Sequence, residues 1–421
     1  MNKAKSVKYL KHFLRLLCYL TFLVGILFTI ILLFPMTNAL FMAMSYFVSQ
    51  ITGFLMFLYL PTTLLLLKLT HKKRFKNWKR GSILVIGLFL TGLNALPLIS
   101  VPVSIQTAET EFNVAYGENW RCDIPKSAEN YFLPSQFNLY NYFLGFPHRD
   151  CNVETDVLYY DADGILLYFD VYYPKGVYSD LPGNGSVIIK IHGGGWTAGD
   201  KSLGNVLVLN KYLAAQGYVV FDIQYGLFDY GGSSFIPTPD YVKGNFTLHD
   251  MVYQIGTFTK LLETTYADTY NANLNSVFIM GGSAGGQLTG VIGLGYNDPY
   301  FSGNFSNALT IKGIIPIYPP DFAPSFLLPG DSSSNPLAFE KFTPSNLADP
   351  SDPSTLIFQG LRDDLVSIDN AERIKSSLNI EGVNCLVLTF PFAAHASDLI
   401  VGNTYSQVWL YYMERFLFLE Q

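Results

Sequence analysis

Three long apolar runs, roughly Phe13–Phe34, Ala39–Leu67 and Ile83–Val103, occupy the first hundred residues; beyond about residue 150 short strand-like and helix-like runs alternate. Each apolar run is long enough to cross a hydrocarbon layer of about 30 Å at about 1.5 Å per residue. Gly25, Gly53, Pro61, Gly92 and Pro97 interrupt them, which spanning helices tolerate better than soluble ones. The first run exceeds the roughly 7–15 apolar residues of a signal-peptide core, so three transmembrane helices are expected within 1–105. From about Gln106 to Asp150 the chain is rich in Tyr, Phe, Asn and Pro with little periodicity, and reads as a connector or small cap.

Period-2 runs then begin. Val153–Tyr160 and Ile165–Tyr173 are joined by Asp161-Ala162-Asp163-Gly164, a good hairpin turn. Val187–Ile191 reads as a buried strand, Tyr218–Ile223 and Asn275–Met280 as strands, and Ile311–Ile317, Thr355–Gln359 and Asn384–Thr389 as further short apolar, strand-like runs. Helical spacing appears at Val206–Gln216, His249–Thr265, Ala284–Leu294, Ala371–Leu378 and Ser406–Leu419. Strands alternating with helices predict an α/β domain over 151–421, with a mostly parallel sheet covered on both faces. The proline-rich stretch Pro316–Pro353 breaks the alternation and reads as an inserted lid over about 318–352.

Charge adds an orientation. Residues 1–108 carry twelve Lys/Arg and no Asp or Glu, within a chain of net charge −6. Lys3, Lys5, Lys8, Lys11 and Arg15 precede or open the first run; Lys68, Lys72, Lys73, Arg74, Lys76, Lys79 and Arg80 lie between the second and third. The link Pro35–Asn38 is uncharged, and Glu109 and Glu111 follow the third run. Positive-inside logic gives a cytoplasmic N-terminus and an α/β domain on the extracellular or luminal side. Basic residues flush against apolar spans serve topology rather than a nucleic-acid partner. Cys122 and Cys151 flank the connector and could pair in an oxidising compartment.

Two glycine-rich motifs carry chemistry. Gly281-Gly282-Ser283-Ala284-Gly285-Gly286 contains G-x-S-x-G, which places a serine on a sharp strand-to-helix turn. His192-Gly193-Gly194-Gly195, also behind a strand-like run, can direct the N–H groups of Gly194 and Gly195 at an oxyanion, with Ala284 as a third donor. Ser283 is the candidate nucleophile. His395, in Phe392-Ala393-Ala394-His395-Ala396, is the single histidine beyond Ser283 and the candidate base. His192 lies in the glycine loop and reads as its brace. Asp363 or Asp364 could orient the base; the spacing Gly360-x-x-Asp363-x-x-Val366 favours Asp363, and Asp369 and Asp398 are less well placed.

With Gly217-Tyr-Val-Val-Phe-Asp-Ile-Gln-Tyr225 added, these stretches resemble alpha/beta-hydrolase esterases of the hormone-sensitive-lipase and ferulate-esterase-like groups. The resemblance spans about residues 150–420. It implies an alpha/beta-hydrolase fold, a Ser283–Asp363–His395 triad, an oxyanion hole at Gly194, Gly195 and Ala284, a small-molecule ester substrate and no cofactor or metal. Gly282 before the serine and Gly226 after the strand tyrosine depart from the family pattern. The apolar runs lie outside that pattern and imply the lipid bilayer as a partner. A hydrolase-shaped interaction domain and a peptidase on the same fold are the alternatives.

Overall fold

The structure is a computed structural model that describes residues 3–70, 76–146, 149–203, 206–232, 234–330 and 333–421; Lys72, Lys73 and Arg74 of the second basic run lie outside the described residues. Near-continuous apolar runs of β-branched and aromatic residues become the central strands, buried on both faces, while the first strand is a largely exposed edge. In chain order they are β1 (Asn152–Ala162), β2 (Ile165–Tyr173), β3 (Ser186–Ile191), β4 (Val219–Ile223), β5 (Asn273–Gly282), β6 (Ile311–Ile317), β7 (Ser354–Gly360) and β8 (Cys385–Phe390). Among the described residues they form one eight-stranded sheet, ordered β1-β2-β4-β3-β5-β6-β7-β8. β2 is antiparallel to β1 and β4, and the pairs from β4 through β8 are parallel.

Alternation sorts each strand's side chains between two cores. Val187, Ile189 and Ile191 of β3 and Val277 and Ile279 of β5 enter one core, while Ile188, Phe278 and Met280 enter the other. Helices α6 (Leu248–Leu261), α7 (Ala284–Leu294) and α8 (Ile368–Ile380) cover the first face. Helices α5 (Val206–Ala214) and α9 (Thr404–Glu420) cover the second. This is the alpha/beta-hydrolase-like arrangement of a mostly parallel sheet flanked by helices.

Ahead of the sheet run α1 (Lys3–Leu33), α2 (Ala39–Leu69), α3 (Asn77–Asn94) and α4 (Val101–Tyr116). Helices α1 and α2 are each long and apolar enough to cross a membrane. The expected third span is not one straight helix: the chain bends by 44° between α3 and the segment Leu96–Tyr116. Pro97 and Pro102 each sit in the first turn of a new helical segment, because a proline has no N–H to offer the carbonyl four residues back. Asn94 Nδ2 donates to Thr29 Oγ1 at 2.9 Å and so ties α3 to α1.

Residues 106–116 of the segment read as an irregular connector are helical, as the end of α4. Phe112 of α4 is fully buried against Trp120 and Tyr412, and burying such a side chain contributes about 1.5–3 kcal/mol. Glu111 pairs with Lys375 of α8 and accepts from the Val387 amide of β8 at 3.1 Å. Helix α4 is therefore fixed to the β8 edge of the sheet. Cys122 and Cys151 are both free thiols, Cys122 exposed and Cys151 buried.

Candidate active site

The parallel strands deliver their C-terminal ends, and the loops that follow them, to one edge of the sheet. After β5 the chain turns at Ser283 with φ 56° and ψ −121°, a conformation that costs a residue with a side chain about 1–3 kcal/mol. Two features hold it there. The Ser283 amide donates to Ile317 O of β6 at 2.9 Å, and Gly285 packs where any Cβ would strike the carbonyls of Ile191 and His192. Helix α7 starts directly after the serine, so its N-terminal amides face the same space.

The loop after β3 forms the opposing wall. Gly194 has φ 124°, and a Cβ there would collide with the carbonyl oxygen of Ala198. Among the described residues the amides of Gly194, Gly195 and Ala284 have no backbone acceptor in the turns and loops, so all three are free to donate. Trp196 Nε1 donates to Gln287 Oε1 of α7 at 3.3 Å, and Gln287 Nε2 donates to Phe342 O at 2.7 Å. This chain of contacts joins the glycine loop, the serine helix and the proline-rich segment between β6 and β7. His192 stacks on Tyr225 with ring centroids 4.4 Å apart, and its Nδ1 donates to Gly193 O at 2.9 Å. Burial pushes its pKa below the usual histidine value and keeps it neutral, which suits a brace.

His395 lies in the loop after β8. Its Nε2 is 2.9 Å from Ser283 Oγ, and its Nδ1 is 2.7 Å from Asp363 Oδ2. With the Asp363 oxygen accepting, Nδ1 is the donor of this pair, and the tautomer that leaves Nε2 to accept from the serine hydroxyl satisfies both contacts. Asp363 is fixed in turn, because its Oδ1 accepts from the amides of Leu365 at 3.0 Å and Val366 at 2.7 Å. Asp364 points elsewhere and accepts from the Met36 amide, in the turn between α1 and α2, at 2.8 Å. Asp369 is capped by Ser367 Oγ at 3.2 Å. Ser283, His395 and Asp363 thus form one hydrogen-bonded line.

Several neighbours escaped the sequence reading. Tyr318, at the end of β6 with φ 39°, lies 4.6 Å from the His395 ring centroid and donates to Asp398 Oδ1 at 2.6 Å. Burial and the adjacent carboxylates raise its pKa, so it stays a neutral donor. Tyr46 of α2 sits on another side of His395, with ring centroids 5.5 Å apart. The signal that could have found α2 is its polar set: Ser45, Ser49, Gln50 and Thr52 cluster within an otherwise apolar run.

Residues 208–419 match the model of the prolyl oligopeptidase family, a stretch that includes Ser283, Asp363 and His395. The chain belongs to the prolyl oligopeptidase family. Among curated proteins it is similar to Esterase LipC of Mycobacterium tuberculosis, 24% identical over 274 residues, covering 61% of this chain and 62% of the relative. It is also similar to "Probable carboxylic ester hydrolase LipM" of the same organism, 26% identical over 238 residues, covering 52% of this chain and 51% of the relative. The chain thus spans between half and two thirds of the length of these relatives. Among solved structures, it resembles the apo form of Thermogutta terrifontis esterase 2, with 18% identity, a TM-score of 0.45 and coverage of 64% of this chain and 91% of that one. A phosphonate-inhibited esterase B from Lactobacillus rhamnosis is similar at 20% identity and a TM-score of 0.48, over 64% of this chain and 84% of that one.

Acyl transfer requires a hydroxyl nucleophile, a base within hydrogen-bond reach of it, a group that orients the base, and amide donors for the oxyanion. Among the described residues no cluster of three or more His, Cys, Asp or Glu side chains suits a metal ion.

Proposed function

We propose that the protein is a membrane-anchored serine carboxylic-ester hydrolase acting through an acyl-enzyme on Ser283. The observation that supports this most is the continuous contact from Asp363 through His395 to Ser283, at 2.7 and 2.9 Å. Ser283 Oγ attacks the ester carbonyl carbon as His395 Nε2 takes its proton. The tetrahedral oxyanion is received by the amides of Gly194, Gly195 and Ala284. His395 returns the proton to the leaving alcohol, then activates a water that releases the carboxylic acid and restores Ser283. Asp363 keeps the proton on Nδ1 and stabilises the imidazolium that forms in between. A fluorophosphonate probe is expected to label the full chain and to leave the Ser283→Ala variant unlabelled; labelling that survives the substitution removes Ser283 from the mechanism.

The substrate is a small ester with a lipophilic part. Leu361 and Leu365 stand half-exposed on either side of Asp363 and Asp364, and Met36 of the α1–α2 turn touches Asp364. These two leucines and the end of the α1–α2 hairpin flank the loop that carries Asp363, so turnover by the chain in nanodiscs should rise with acyl-chain length from acetate to octanoate p-nitrophenyl esters. A steady fall with chain length would reject the lipophilic preference. In the membrane the N-terminus faces the cytoplasm and the catalytic domain the extracellular or luminal side. Protease added outside sealed vesicles should then digest the region beyond Tyr116; protection there with a cleaved N-terminus would reverse the orientation.

The family match favours a second reading, peptide-bond hydrolysis by the same side chains. Comparing turnover of an ester with that of an aminoacyl amide of equal size separates the two.

A further inference from the structure

One turn of α2 is built against the loop that carries His395. Tyr46, Ser49 and Gln50, spaced i, i+3 and i+4, share a helix face. The Gln50 side chain is 2% exposed. Its Nε2 donates to Ala396 O at 3.1 Å and to Tyr46 O of its own helix. Its Oε1 accepts from the Ile400 amide at 2.8 Å and from Asn403 Nδ2 at 2.9 Å. One carboxamide therefore bridges both limbs of the loop that follows His395. Asn403 extends the bridge: its Nδ2 also donates to Ser397 O at 2.8 Å, and its Oδ1 caps α9 by accepting from Tyr405 and Ser406. Ser49 adds contacts to Ser397 Oγ at 3.1 Å and to the Tyr405 hydroxyl at 3.2 Å.

The point held most directly is strained. Ala396, next to the histidine, has φ 56°, which residues with a Cβ adopt only where their surroundings over-determine it. Its carbonyl is the group to which Gln50 donates. We propose that Gln50 is a positioning residue for His395, so that a side chain of an apolar helix outside the α/β domain completes the catalytic geometry. This rests on the reading of His395 as the base. It also makes catalysis depend on how α2 is seated in the bilayer, since a shift of the helix moves the loop with it.

The test uses the full chain in nanodiscs with p-nitrophenyl butyrate. Gln50→Met keeps the volume and removes all the hydrogen bonds. Because an error of about 1 Å in a reacting group can lose about 10²-fold in rate, kcat should fall about 10- to 100-fold with KM within about threefold of wild type. The acid limb of the kcat–pH profile should move as well, which a packing defect elsewhere would not produce. Adding Ala396→Gly, which accepts the same φ without strain, should recover at least about threefold of the lost kcat. Leu64→Ala, on an exposed part of α2, should match wild type. If Gln50→Met does not fold, Gln50→Glu retains the acceptor for Ile400 and Asn403 but loses the donor to Ala396. Its kcat should still drop about tenfold. Unchanged kcat in the Gln50 variants, a change confined to KM, or no recovery with glycine at 396 overturns the assignment while leaving Ser283 chemistry intact. Wild-type protein inert to both ester and fluorophosphonate would instead bring down the hydrolase reading, and this inference with it.

Discussion

Asp363→Asn tests the hydrogen-bonded line at the point where chemistry and geometry separate. In the native site Oδ1 accepts two backbone amides, from Leu365 and Val366, while Oδ2 accepts from His395 Nδ1. An asparagine would have to turn its carbonyl toward the two amides, because an NH₂ group there would oppose two donors. Its NH₂ would then face His395 Nδ1 and force that nitrogen to accept. The imidazole proton would move to Nε2, directed at Ser283 Oγ 2.9 Å away, and the base would lose the lone pair that it needs. Carboxamide and carboxylate are nearly isosteric and the aspartate is buried, so the fold should survive. The expected loss is about 10⁴ in kcat, equivalent to about 5.4 kcal/mol of transition-state stabilisation, with KM little changed. Steady-state hydrolysis of p-nitrophenyl butyrate and the rate of fluorophosphonate labelling both report it. Activity within tenfold of wild type, or a larger loss from Asp364→Asn, would refute the tautomer argument.

Other substitutions probe separate parts. Gly194→Ala places a Cβ against Ala198 O at φ 124°, so the loop must shift and an oxyanion donor is misplaced; kcat should fall about 10²–10³-fold, and a variant with native kcat would show that this amide is not used. Thr247 and Asp250 form a capping box at the start of α6, so Thr247→Ala should cost about 1 kcal/mol, read as a lowered denaturation midpoint at unchanged slope. Asp352 has its pKa raised to about 7, mainly by burial and then by the nearby carboxylates of Asp349 and Glu381. The folded chain binds more protons there than the unfolded one, so this group's contribution to stability declines as pH rises from about 4 to 7. Asp352→Asn can still accept the Asp349 amide and should raise the melting temperature at pH 8 but not at pH 4; an equal shift at both values would reject the titration.

The local pattern of the sequence determined most of the elements, because side-chain alternation and helical spacing are set by the backbone itself. The strands Ile165–Tyr173 and Ile311–Ile317 and the helix Ala284–Leu294 have the same bounds in the sequence reading and in the fold. The glycines around Ser283 and Gly194 were equally legible, since a close backbone approach leaves a mark that only glycine satisfies. The bend between α3 and α4 was less so: Pro97 and Pro102 mark a break, but nothing local says by how much the axis turns.

What tertiary structure decided was each choice between chemically equivalent groups. Asp363 and Asp364 are neighbours with the same side chain, and only the path of the β7 loop turns one toward His395 and the other toward Met36. Tyr318 and Gln50 reach the site from the end of another strand and from an apolar helix 345 residues before His395. A contact between residues so far apart leaves no periodicity in either segment. It exists because β6, β7 and β8 run parallel and end at one edge, where Met36 and Gln50 of the α1–α2 hairpin meet the loops that follow β7 and β8.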